Sequence, residues 1–542
     1  MLVKLVDLFT FFSVVLRAGT LVFQSFLLGG VVFGLLVARS SPEVSKEAID
    51  RVQSSTWSLL RISAVGLAIV QLLYLYVDSA VLMVTAEIGF DQVVGANFFI
   101  SGSVVFIAAL LTIVVASGNK KFARWALPVL AAIIMGASVM TNHAASRLEG
   151  RTLLITFSCI HELAVGFWIG GLPFLVLGLY RAKDPAVQWT VVKRFSPLAL
   201  ASVGALVASG LAMSFKYVGS FTALIGTSYG VMLIAKATML GGLLVLGGVN
   251  FLLIRNTTKE YALPRLRRLI EAEVGIGITV ILTAASLTAQ PPAVDQISDT
   301  LTPAQIFKRF EPRVPRLRYR YITEASGPDA RESLVSGKAL AYNVDGEPLS
   351  ARLINYSIES EANHHWMGLV VLAMGLLALL ERTGNAPWAK YWPLLLICIA
   401  IFIFLQADSE CWPVGWKGFW ACWIDPESFQ HRIAAIVCAA FGIFELRIRR
   451  KQEGNNPLAL VFPAMCAIGG AVLLTHEHAI SNVKESTLVE WSHVPMGVLA
   501  VFAGWARWLE LRLPEKNRVL ASWVWPVCFV FIALILLNYR EI

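Results

Sequence analysis

Apolar runs of roughly twenty residues, parted by short polar loops, recur along the chain. A helix needs about 20 apolar residues to cross the ~30 Å hydrocarbon core of a bilayer. The pattern predicts about fourteen such spans, at 8–37, 56–83, 96–117, 124–141, 153–179, 196–215, 230–254, 270–289, 365–380, 391–406, 431–446, 458–475, 494–511 and 521–538. The fold class that follows is all-α, a polytopic membrane protein in two bundles. The first run is broken by Arg17 and no small-residue cleavage site follows it, so it reads as a first span and not a removed signal peptide. One stretch departs from the pattern. Residues 290–361 hold Pro291-Pro292, mixed charge and two fragments of strand-like alternation, Arg318 to Ile322 and Ala351 to Tyr356. They predict a small β-rich extracytoplasmic insert or structured linker. The expected organisation is an eight-span domain over 1–289, the insert over 290–361, and a six-span domain over 362–542.

Charge fixes an orientation. Basic loops lie at Lys120 to Arg124, Arg181 to Lys183, Arg255 to Arg268, Arg447 to Lys451 and Arg512 to Arg518. The alternate loops carry acids, among them Glu87, Asp91, Asp408, Glu410, Asp425 and Glu427. Every basic loop falls on one side of a fourteen-span count, which makes that side cytoplasmic and places both termini outside. The chain is 57% hydrophobic and 15% charged, against roughly 25% charged in soluble domains. The net charge of +9 therefore marks loops at a lipid surface, and nucleic acid is not an expected partner.

Candidate chemistry gathers in the histidines. Three helices of the second half begin alike, with HHWMGLVVLAMGLLALLER from His364, HRIAAIVCAAFGIFELRIR from His431 and HVPMGVLAVFAGWARWLELRL from His493. Each opens on histidine and closes on glutamate and arginine. Their topology puts Glu381, Glu445 and Glu510 at cytoplasmic ends, and His365, His431 and His493 at outer ends. His476 and His478 come where the twelfth span emerges, so all the second-half histidines share one membrane level. Histidine can cap a helix at an interface; it is also a good ligand for copper, zinc and haem iron. The first half has two, His143 in TNHAAS and His161 in CIHELAVGFWIGGLPFL. His161 lies about 13 Å into its helix at 1.5 Å per residue. Gly170-Gly171, further along, would let a neighbouring helix approach closely.

The first half resembles the copper resistance protein D (CopD) family over about 95–290. The residues that carry the resemblance are Asn142-His143-Ala144, His161 with Trp168 to Leu172, Phe195 to Ala199, Ser209-Gly210, Thr227 to Gly230, Lys236 and Asn250. The resemblance implies a bacterial inner-membrane protein that moves or imports copper, with His143 and His161 as ligands and a periplasmic copper chaperone as a possible partner. With His365, His431, His476, His478 and His493, these make the candidate metal set, in a carrier and not an enzyme. Two rival readings stay open: a b-type cytochrome whose histidine pairs hold haem b, and an assembly subunit for a cuproenzyme. Cys411 and Cys422, in CWPVGWKGFWACW, could form a disulfide or bind Cu(I) as thiolates. Met367 and Met496 are the methionines nearest the repeat histidines.

Overall fold

The computed structural model describes residues 9–39, 45–318, 344–345, 349–451, 457–474 and 482–541. It is all-helical in character, with no named strand among those residues. The principal helices are α1 (Phe9–Val32), α2 (Lys46–Thr85), α3 (Asn97–Ser117), α4 (Lys120–Val139), α5 (Arg151–Trp168), α6 (Leu172–Arg181), α7 (Pro185–Val218), α8 (Ser228–Asn256) and α9 (Lys259–Ala289). The second half holds α10 (Ala351–Arg382), α11 (Leu394–Gln406), α12 (Pro426–Lys451), α13 (Val461–Leu473), α14 (Val483–Arg512) and α15 (Val519–Leu537). Every expected span falls on helix. Twelve are long and apolar enough to cross a membrane. The other two are α12, which carries Arg432 and Glu445 inside its apolar run, and the shorter Leu458–Leu473.

One expectation is corrected. Ala351 to Tyr356 is not a strand but the opening of α10. The side chain of Ser350 accepts the Leu353 N–H at 3.3 Å, a serine N-cap that outweighs the local alternation. Of the other strand fragment only Arg318 lies within the described residues, as do neither His476 nor His478.

The helices form two compact units, Met1–Tyr217 with Met239–Ala289, and Val218–Thr238 with Gln290–Ile542. In the first unit α1 is central and packs against α2, α4, α5, α6 and α9. Its crossing with the turn between α5 and α6 is backbone on backbone: a Cβ on Gly170 would stand 1.9 Å from the Ser25 carbonyl oxygen, and one on Gly29 would stand 2.2 Å from the Gly170 carbonyl carbon. Small residues here let the two backbones touch without side chains between them. Outer helices turn apolar stripes away from the unit. Along α3, Ile100, Val104, Ile107, Leu111 and Val114 are exposed at helical spacing, as a lipid-facing side requires.

In the second unit each helix from α10 to α14 packs against the next, and α15 contacts both α14 and α10. The six helices therefore close a ring. Trp392, Phe462, Trp525 and Phe529 meet in its core with centroids 5.4 to 6.3 Å apart. Beside this aromatic core the closing charges of the three repeat helices interlock. Arg507 Nη2 lies 2.8 Å from Glu445 Oε1, and Arg507 Nη1 the same distance from Glu510 Oε2. Arg449 Nε reaches Glu445 at 2.7 Å, and Trp525 Nε1 donates to Glu510 at 2.7 Å. Arg449 also pairs with Glu381, and Arg382 with Glu510. Three glutamates and three arginines from α10, α12 and α14 thus neutralise one another in a network whose centre, Glu445, Arg507 and Glu510, is buried.

Removing one member of a buried ion pair strands its partner, at a cost of about 3–5 kcal/mol. Arg507→Met should therefore destabilise the second unit strongly. Adding Glu445→Gln should return part of the loss, because the stranded carboxylate is gone. Thermal unfolding in detergent, followed by tryptophan fluorescence, measures both. Additive losses would show that the two side chains do not act on each other.

Candidate functional site

The first unit contains a polar seam. Arg17, Thr20 and Gln24 recur every three or four residues on α1, and Gln71, Tyr74 and Asp78 do so on α2. Arg17 Nη1 donates to Thr141 Oγ1 at 3.4 Å, and Gln24 Nε2 donates to Glu162 Oε2 at 2.9 Å. Asn142 also hydrogen-bonds Glu162, and Tyr74 hydrogen-bonds Asp78, with the Arg17 charge acting on both carboxylates. A lone charge in hydrocarbon is costly, so these groups are gathered inward around α1.

Of the neighbours His161 and Glu162, Glu162 is the one that joins this seam. His161 turns instead to α7, where its Nδ1 lies 3.3 Å from Ser209 Oγ and its Cε1 borders Gly210. His143 opens the one-turn helix His143–Ser146, and the side chain of Asn142 caps it by accepting the Ala144 N–H at 3.0 Å. The His143 ring stands edge-on to Tyr217, with centroids 6.4 Å apart. Ser209 and Tyr217 are two turns apart on one face of α7, about 12 Å along its axis. Between them on that face is Met213, whose sulfur accepts a hydrogen bond from Ser158 Oγ at 3.5 Å. The face of α7 is therefore bordered by the His161 ring at Ser209 and the His143 ring at Tyr217, with the Met213 thioether between them.

The second unit brings one pair of its described histidines together. His364, and not His365, faces His493, with centroids 5.7 Å apart. Tyr539 stacks on His364 at 3.9 Å and stands edge-on to His493 at 5.4 Å. His364 Nδ1 lies 2.8 Å from the Ser360 carbonyl and His493 Nδ1 lies 3.1 Å from the Val489 carbonyl, each one turn back along its own helix. A carbonyl only accepts, so Nδ1 carries the proton and the lone pair sits on Nε2, the tautomer of a ligand held by its second nitrogen.

His365 is engaged otherwise. Its Nε2 donates to the Tyr539 carbonyl at 3.0 Å, and its Nδ1 accepts the Arg316 N–H at 2.7 Å. Both nitrogens serve backbone. His431 Nδ1 donates to Asp408 Oδ1 at 3.1 Å. Burial opposes the charge of that carboxyl, but the His431 hydrogen bond and the nearby charges hold it below the usual carboxylate range. Cys411 and Cys422 are separate thiols, both buried. Burial, and then the hydrogen bond to Cys422, push the Cys411 thiol up, away from the thiolate that binds Cu(I). Among the described residues no three His, Cys, Asp or Glu side chains converge as a metal cage.

The comparisons with known proteins bear on the first unit. Residues 189–287 match the family described as Copper resistance protein D. That segment is similar to the CopD family. It runs through α7 and α8 and ends within α9, so the face that His143 and His161 bear on lies inside it. A curated relative, Copper transport protein CutJ of Bacillus subtilis (strain 168), is 32% identical over 207 residues. The alignment covers 37% of this chain and 37% of that relative, so the chain matches little more than a third of its length. No solved structure matches.

His364 and Met213 escaped the sequence reading, although the HH doublet and the four-residue spacing of Ser209, Met213 and Tyr217 were there to find them. The two second-unit histidine arrangements should separate by mutation. His365→Ala strands a buried carbonyl and N–H, and should cost about 1–3 kcal/mol of stability while leaving bound copper unchanged. His364→Ala and His493→Ala should do the reverse, lowering bound copper with a smaller loss of stability. Calorimetry beside elemental analysis of the purified variants reads both.

Proposed function

We propose that this protein moves copper across the bacterial inner membrane, and that the α7 face is where the ion is handed along. The observation that carries the reading is that His143 and His161, from neighbouring elements, flank Met213 along the α7 face, and α7 belongs to the segment that matches the CopD model. Imidazole and thioether are borderline and soft donors, suited to copper and poorly suited to magnesium or calcium. Sites two turns apart favour passage over storage: an ion held by few ligands at each step can leave for the next. The name of the Bacillus relative, a copper transport protein, supports the same cargo.

In this reading residues 1–289 carry the transport chemistry and 362–542 form a six-span partner domain, joined through 290–361. The basic loops face the cytoplasm and both termini face the periplasm. Copper would arrive at His143, from solution or from a periplasmic copper chaperone, and pass inward by ligand exchange. His364 and His493 in the second unit offer a further imidazole pair. A haem reading asks for two imidazoles opposed across a flat slot, whereas Tyr539 packs against both of these rings. That packing favours a small ion over haem b. The protein is accordingly a carrier, and catalysis has no part in the proposal.

Copper accumulation in cells tests the proposal. His161→Ala should reduce it to the level of cells without the protein, with membrane insertion and abundance unchanged. Met213→Leu keeps the volume and removes the sulfur, and should lower accumulation by roughly tenfold, within the range seen when a ligand's support is lost. Wild-type accumulation in His161→Ala would remove this face from the mechanism.

A further inference from the structure

We infer that Glu273 is a proton-exchange site inside the first unit, separate from the histidine row. Glu273 lies on α9 five residues beyond Arg268, about 7.5 Å along the axis from the basic end. Its neighbour Glu271 shows what an ordinary acid does at this depth. Arg268 Nη1 binds Glu271 Oε1 at 2.8 Å and the Tyr180 hydroxyl at 2.6 Å, and that hydroxyl also bonds Glu271. Glu273 is set about 200° around the helix from Glu271 and turns into the unit, where it is 3% exposed.

Among the described residues no charged side chain acts on Glu273. Asn250 of α8, itself 6% exposed, is among those residues the side chain whose hydrogen bonding bears on the carboxyl. Glu273 Oε1 and both amide atoms of Asn250 are nonetheless buried without a hydrogen-bonding partner. Gly247, one turn before Asn250, completes the wall: a Cβ there would stand 3.3 Å from Glu273 Oε1 and 4.0 Å from the Trp168 ring. Further along α9, at Leu282 and Ala285, the α1 residues packed against it are Val14, Ala18 and Leu21. The charges nearest along the chain, Arg267, Arg268 and Glu271, belong to the basic end of α9 itself, and Arg268 is committed to Glu271.

A carboxyl and a carboxamide are hard oxygen donors, which do not suit Cu(I). A bare carboxylate beside one amide, with no cation, is also a costly thing to bury. The occupant that satisfies this pocket is a proton on Glu273. Exchange is then simple in its balance: the carboxylic acid releases one proton and becomes the carboxylate, which Asn250 Nδ2 stabilises by donating to it. A proton held at the basic end of the same unit gives copper movement a second ion to be coupled to.

The site is tested first without reference to copper. Full-length protein in liposomes, titrated by infrared spectroscopy from acid to alkaline pH, should show a protonated carboxyl band that is absent from Glu273→Gln. Asn250→Leu should move its midpoint upward, because the charged form loses its donor. If Glu273→Gln does not fold, dicyclohexylcarbodiimide applied to wild-type membranes should modify Glu273, with the yield falling as pH rises. An unchanged band in Glu273→Gln, or carbodiimide adducts only at other residues, overturns the inference. The coupling rests on the proposed transport: copper-loaded proteoliposomes should show proton flux in the wild type and at least tenfold less in Glu273→Gln. Failure to move copper at all would sink the transport reading and leave the titration of Glu273 standing.

Discussion

A polar side chain on a helix surrounded by hydrocarbon has to find its partner inside the bundle, and that constraint arranges both halves of this protein. In the first unit it draws Arg17, Gln24, Asn142 and Glu162 into one seam around α1. In the second it locks six charges from α10, α12 and α14 into a neutral network under an aromatic core. A buried pair of this kind adds little net stability over well-packed apolar residues; it makes wrong packings expensive. In the register observed, the Glu and Arg termini of the repeat helices meet.

That lock has a consequence at the other ends of the same helices. With α10 and α14 fixed below, His364 and His493 are held edge-to-face against Tyr539, each with its Nδ1–H tied to its own helix. The histidines are thus pre-set in tautomer and direction before any ion arrives, which lowers the ordering cost of binding. The first unit achieves something similar by different means. The close crossing of α1 on the turn between α5 and α6, at Gly29 and Gly170, sets the rotation of α5. Glu162 thereby faces the seam, and His161 faces α7.

The helices were legible in the sequence because a 20-residue apolar run in a membrane protein has few other readings. The recurrence of Glu and Arg at one end of each repeat helix was visible as well, but their interlocking was not drawn from it. Rotation about each helix was not legible. Glu162 joins the seam around α1 while His161 turns to α7, and His364 rather than His365 meets His493, because a step of one residue turns a side chain by about 100° and the deciding contacts come from other helices. Ala351 to Tyr356 misled in another way: alternation over six residues is a weak signal beside a serine N-cap. Met213 looked like one apolar residue among many until α5 brought Ser158 to its sulfur.

X-ray absorption at the copper edge of the copper-loaded protein tests the central claim most directly. The account predicts a first shell of mixed nitrogen and sulfur that loses its sulfur in Met213→Leu and its imidazole scattering in part in His161→Ala. A spectrum identical in wild type and both variants would contradict it, and would move the copper to another part of the chain.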